Sequence, residues 1–248
     1  MVARCSRSAA LFAVVAGIAP VALTSGATAY ASRAPALANL SGNAYFPLVV
    51  GATWTYRDVG GPAAGFTTLT IHVVSAHTTA SGEAVNVQDS VGAHAFTEQY
   101  VIGPNGAIEV SLAAGSGATR TTVSGNSSYF IPSASMIGSC HPCHFAANFT
   151  SAVAGFTMHE HMTEAATSMG VEVVRVPAGT FRAEKLQMAM RMTSSGSPVT
   201  IDDNINYAVY LVSGVGLVET GAGSVRTSVM GHTTTAATGT EELVRYTP

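Results

Sequence analysis

Apolar and polar residues alternate along several runs of the chain. Phe66, Leu69, Ile71 and Val73 are apolar, with Thr68, Thr70 and His72 set between the later ones. Leu186, Met188, Met190 and Met192 alternate with Lys185, Gln187 and Arg191, and Ile205, Tyr207, Val209 and Leu211 repeat the pattern. A period of two sends every second side chain of an extended segment to the same face, so each run predicts a half-buried β-strand. Shorter β-prone runs at 85–87, 96–102, 107–112, 171–176, 215–218 and 242–246 are separated by turn signals: Gly60-Gly61-Pro62, Gly103-Pro104-Asn105-Gly106, Ala178-Gly179 and Gly221-Ala222-Gly223. No long amphipathic helix is visible. The pattern therefore predicts an all-β fold: a single antiparallel sheet, an open barrel or a sandwich. Two stretches break the rhythm. Residues 124–155, with Pro132, Gly138, Pro142 and Gly155, read as a long central loop excursion, and the Thr- and Gly-rich stretch 227–240 reads as a mobile approach to a last strand at 242–246.

The N-terminus follows a different logic. Arg4 and Arg7 precede an apolar run from Ala9 to about Leu23, and small residues end in Ala29-Tyr30-Ala31. A basic start, an apolar middle and an A-x-A end form a secretory leader over residues 1–31, cleaved near Ala31. Pro20 interrupts the run and little beyond Ala31 extends it to the length of about 20 residues that a membrane span requires, so no transmembrane anchor is expected to be retained. The expected product is secreted or periplasmic, with a small polar linker at 32–44 and one β domain at 45–248.

Composition narrows the function. Of 248 residues, 47% are apolar and 10% charged. Without Arg4 and Arg7, nine Lys and Arg face 14 Asp and Glu, a net charge of −5 with His neutral. Such a surface lacks the cationic face that phosphate backbones demand, which argues against a nucleic-acid partner. There is no G-x-S-x-G elbow, no paired-carboxylate motif and no phosphate-cradling glycine loop. Isolated His72, His77, His94 and His232 read as surface or satisfied residues, the Met stripe at 188, 190 and 192 reads as core, and Asp202-Asp203-Asn204 reads as a turn signal ahead of a strand.

One constellation carries possible chemistry. Cys140-His141-Pro142-Cys143-His144 is C-x-x-C followed by His, which in an exported protein is the attachment pattern of haem c: two thiols add to vinyl groups and His144 becomes an axial ligand. Downstream, Met158, His159, Glu160, His161 and Met162, if extended, put His159 and His161 on one face and both Met on the other. Cys140, His141, Cys143, His144, Met158, His159, His161 and Met162 are thus the candidate ligands for copper or zinc, since thiolate, imidazole and thioether suit such ions. The competing reading is a local Cys140–Cys143 disulfide in an oxidising compartment, with no cofactor. A thiol-exchange role lacks the βαβ context that such chemistry uses.

Three further segments look familiar together. Tyr45-Phe46-Pro47-Leu48-Val49-Val50-Gly51-Ala52-Thr53-Trp54-Thr55-Tyr56, Val176-Pro177-Ala178-Gly179-Thr180-Phe181 and Ser213-Gly214-Val215-Gly216-Leu217-Val218 resemble, in that order, the TapB-like family of bacterial exported proteins and lipoproteins. The resemblance implies an antiparallel β domain at the cell envelope and brings no catalytic residue with it. Read physically, Pro177 and Gly179 make a tight reversal, Trp54 anchors the core, and Gly214 and Gly216 allow a bend. The expected function is a non-enzymatic envelope domain, structural or binding an unidentified protein or apolar ligand on one sheet face. The alternative is an electron-transfer or metal-handling protein built on the C-H-P-C-H segment.

Overall fold

The computed structural model describes residues 45, 47–59, 68–79, 82–91, 94–103, 106–114, 119–124, 131–132, 137–139, 141–153, 156–195 and 200–248. The leader, the linker at 32–44, the Gly60-Gly61-Pro62 turn and Cys140 lie outside them.

Fifteen strands are described: β1 (Thr53–Val59), β2 (Thr68–Thr79), β3 (Gly82–Val91), β4 (His94–Gly103), β5 (Gly106–Ala114), β6 (Thr119–Ser124), β7 (Ile131–Pro132), β8 (Cys143–Val153), β9 (Phe156–Val176), β10 (Gly179–Ser195), β11 (Ile201–Val212), β12 (Gly216–Thr220), β13 (Ser224–Val229), β14 (His232–Ala237) and β15 (Thr240–Thr247). All of them belong to one sheet, in the order β10-β9-β8-β6-β5-β4-β3-β2-β1-β15-β12-β11-β13-β14, with β7 on β5. The pairings are antiparallel, as short connections between sequential neighbours dictate. β10 also pairs with β11, so strands far apart in the order stand side by side and the sheet curls around its buried face. The all-β, single-sheet expectation is met.

The alternation does the sorting. In β10 and β11 the large apolar residues Leu186, Met188, Met190 and Met192, and Ile201, Ile205, Tyr207, Val209 and Leu211, are buried, each run on one face. The Met stripe is core. Trp54 is fully buried, its Nε1–H donates to the Val215 carbonyl at 2.7 Å, and its ring stacks on Tyr246 with centroids 5.1 Å apart. The Tyr56 hydroxyl donates to the Leu217 carbonyl at 2.9 Å. These two bonds seat β1 on the 213–217 turn, where Gly214 and Gly216 adopt φ of 81° and 97° as the expected bend requires. Val176 pairs with Gly179 across the predicted Pro177-Ala178 reversal. The tip is pinned by Ala178 N–H donating to the Leu243 carbonyl at 3.0 Å.

The fold departs from expectation in three places. The central excursion is interrupted by β8, which pairs along its whole length with β9. Its sequence, CHFAANFTSAV, sets Ala147 and Ser151 between Phe145, Phe149 and Val153 at alternate positions, and this interrupts the period. Residues 227–240 are not a mobile approach: they supply the end of β13 and all of β14, a hairpin rich in Thr and Ser with no apolar alternation to announce it. Asp202, Asp203 and Asn204 do not form a turn but lie inside β11, opposite Thr193, Met192 and Arg191 of β10.

Candidate functional site

The ladder determines where the cysteine and histidine candidates go. Cys143 opens β8 opposite Ala166, and His144 lies opposite Ala165. Successive residues of a strand face opposite ways, so Cys143 packs toward the core while His144 is exposed on the outer face. His159 and His161 are exposed on that same outer face, opposite Thr150 and Asn148, and His161 Nδ1 is hydrogen-bonded with Asn148 Oδ1 at 2.9 Å. Met162 is fully buried on the inner face. Thus His159 and His161 do share one face with Met162 opposite, but β8 does not bring the cysteine segment to them. His144 is registered four residues from His161 and six from His159, about 14 and 20 Å along the ladder. Cys143 and Met162 share the inner face at a comparable separation of about 14 Å. His141 is exposed ahead of β8, while Cys140 and the Met158 side chain lie outside the described residues. Among the described residues no group of three or more His, Cys, Asp or Glu is placed to hold a metal ion.

What the outer face does assemble is a trough across β8, β9, β10 and β11, of about 460 Å³. Two adjacent cross-strand rows build it: His144, Ala165, Ala189 and Asn206 form one, and Ala146, Thr163, Arg191 and Asn204 the other. The floor is low at Ala165 and Ala189, the centre of the first row, and at Ala146 and Thr163 in the second, while Arg191 stands beside them. The rim is polar, with an imidazole, a guanidinium and two carboxamides. Arg191 is oriented by Asp202, whose Oδ1 accepts from its guanidinium at 3.2 Å and from the Thr193 hydroxyl at 2.8 Å. On the same strand, Asn204 and Asn206 stand two residues apart, about 7 Å. The trough presents hydrogen-bond donors and acceptors from His144, Thr163, Arg191, Asn204 and Asn206 on two adjacent rows.

The inner face holds what sequence reasoning missed. Glu83, Asp89, Glu98, Glu160, Glu164, Glu184, Asp203 and Glu241 are all buried. By contrast, Arg57, Arg175, Arg182, Arg191, Arg226 and Arg245 are exposed and Lys185 is half-buried. Several of the acids meet hydroxyl donors: Tyr100 donates to Glu98 at 2.6 Å and Tyr207 to Glu164 at 2.8 Å. Asp203 is 1% exposed, and among the described residues its Oδ1 has no hydrogen-bond partner. Burial pushes the Asp203 carboxyl above the usual range and Asp202 adds to the rise, while a hydrogen bond from Thr227 opposes it. Glu83 is likewise raised by burial, against the pull of His77. The signal was present in the period: Asp203 sits between Ile201 and Ile205, and Glu160 and Glu164 flank Met162, all at inward positions.

No protein-family model matches the chain, and no curated protein does. Among solved structures, the chain is similar to one from Bacteroides fragilis NCTC 9343 whose description names export and a YmcC-like fold, at 13% identity and a TM-score of 0.44, covering 80% of this chain and 96% of that one. It is also similar to one from Parabacteroides distasonis ATCC 8503 described as a lipoprotein, at 14% identity and a TM-score of 0.36, covering 82% and 98%. The TapB-like resemblance rests on its three motifs alone, and any role for the chain has to be argued from its own side chains.

Proposed function

We propose that the chain is an exported, non-catalytic β domain that holds a polar ligand in the trough across β8 to β11. Export rests on the leader at 1–31. Binding rests on one observation: two adjacent registered rows, one with His144 and Asn206 at its ends over Ala165 and Ala189, the other adding Thr163, Arg191 and Asn204 beside Ala146, make a concave site of about 460 Å³, a volume in the range of small-molecule sites. The lining favours a ligand rich in hydrogen-bonding groups over the expected apolar one. A ¹H–¹⁵N NMR titration with tripeptides, disaccharides and short dicarboxylates tests this. The expected result is shifts centred on residues 144–146, 163–165, 189–191 and 204–206 for one of these classes, lost in Asn206→Ala. Shifts centred elsewhere, or none with any class, would reject the trough as the site.

We also propose that Cys140 is the partner of Cys143, closing a short ring at the head of β8. In that state neither sulfur is available for a thioether bond to haem or for thiolate ligation of copper or zinc. Intact mass of the exported protein is expected two hydrogens below the reduced value, with no Soret band. A covalent haem mass would return the C-H-P-C-H segment to electron transfer.

A further inference from the structure

We propose that β14 is a self-association edge, and that two copies of the chain join there by antiparallel strand addition. β14 pairs with β13 on one side, and no described strand takes its other edge. All six residues, His232 to Ala237, are exposed. Edge strands in monomeric proteins are ordinarily blunted by charge, proline or a bulge. The sequence HTTTAA has none of these, and its register with β13 runs without a shift from Val229/His232 to Ser224/Ala237. The hairpin is tight: Met230 and Gly231 adopt φ of 49° and 82°, the two-residue turn whose twist matches that of the flanking strands. In such a hairpin the pair next to the turn exchanges both backbone bonds, and bonded pairs then alternate. His232, Thr234 and Ala236 therefore spend their backbone groups on β13, and Thr233, Thr235 and Ala237 aim N–H and C=O outward.

The occupant follows from that spacing. An antiparallel copy centred on Thr235 matches every outward group with another: Thr235 faces Thr235, and Thr233 faces Ala237 in both directions. A two-fold pairing of this kind is closed and self-complementary, so it stops at a dimer. It also places threonine beside threonine, a favourable cross-strand pair, and since β14 carries no Asp, Glu, Lys or Arg, no like charges meet.

Sedimentation velocity of the exported full chain across a range of concentrations tests the idea. The expected result is a monomer–dimer equilibrium. Thr235→Pro removes the outward N–H without touching the β13 ladder and is expected to weaken the dimer by at least about tenfold, as the loss of two interfacial hydrogen bonds implies; Thr235→Ala keeps the N–H and should dimerise as the parent does. A second measurement does not depend on how the proline variant folds. In a bonded antiparallel pair the two Cα atoms stand about 5.5 Å apart, within disulfide range, so Thr235→Cys is expected to cross-link between copies under oxidation. Thr233→Cys places its sulfurs roughly 14 Å apart along the ladder and should not. A chain that stays monomeric at all concentrations, a dimer indifferent to Thr235→Pro, or equal cross-linking at 233 and 235 would each overturn the proposal. So would β14 being occupied by a different protein in the purified material.

Discussion

Replacing Trp54 with phenylalanine tests the packing of β1 against the 213–217 turn. The indole is fully buried, donates to the Val215 carbonyl at 2.7 Å and stacks on Tyr246. Phenylalanine keeps an aromatic ring but withdraws the N–H, leaving the part-buried Val215 carbonyl without that donor at a cost of about 1–3 kcal/mol. It also vacates roughly 40 Å³, which at about 24 cal/mol per Å³ adds about 1 kcal/mol. The sum, about 2–4 kcal/mol, is a large share of the roughly 5–15 kcal/mol that holds a typical domain folded. For a chain of this length it corresponds to a fall in Tm of roughly 5–15 °C. Because Trp54 is the single tryptophan, the assay is urea unfolding followed by circular dichroism, with an unchanged m-value marking a pure stability effect. Tyr246→Leu should cost about 0.5–1.5 kcal/mol beyond its lost area, through the stacking alone. A Trp54→Phe protein within about 0.5 kcal/mol of the parent, the range of an inert surface change, would refute the reasoning.

Three other outcomes are expected. Asp203 holds its proton in the folded state above the pH at which the unfolded chain releases it, so stability should fall as pH rises from about 4 until the folded carboxyl itself ionises. Asp203→Asn should flatten that part of the pH profile and raise stability at pH 7, and an equal loss at every pH would contradict the assignment. A Cβ on Gly223 would sit 2.0 Å from the Asn206 carbonyl oxygen, so Gly223→Ala should lower stability by about 1–3 kcal/mol, read as Tm by calorimetry. Tyr207→Phe removes the hydroxyl that Glu164 accepts from at 2.8 Å and should cost about 1–3 kcal/mol, read as Tm by calorimetry.

The parts of the fold legible in the sequence are those where large apolar residues mark a run of successive inward positions. β10 and β11 meet that condition, and so does the Pro177-Ala178 reversal between β9 and β10. β8 and β14 do not. In β8 Ala147 and Ser151 interrupt Phe145, Phe149 and Val153 at alternate positions, and in β14 both faces are exposed, so nothing in hydrophobicity distinguishes an ordered Thr-rich strand from a loop. The same blindness governed the site. With 143–153 read as a loop, Cys143 and His144 looked like neighbours free to converge on one ion; as a strand, period two turns them to opposite faces. The trough was equally hidden, because Ala165, Ala189, Asn204 and Asn206 carry no motif and meet only through the registers of β9, β10 and β11. The inward acids were readable by position but not by residue type, since a carboxyl at a core position runs against the usual cost of burying charge.

Methionine oxidation tests the sorting of faces most directly. The chain places Met162, Met188, Met190 and Met192 at 5% exposure or less, and Met169 and Met230 at 57% and 76%. Brief treatment of the native protein with hydrogen peroxide, followed by peptide mass spectrometry, should oxidise Met169 and Met230 first and leave the other four protected until the chain is unfolded. Oxidation of Met188, Met190 and Met192 at the pace of Met230 under native conditions would mean that β10 has no buried face, and the curled one-sided sheet, with the trough on its outer side, would be wrong.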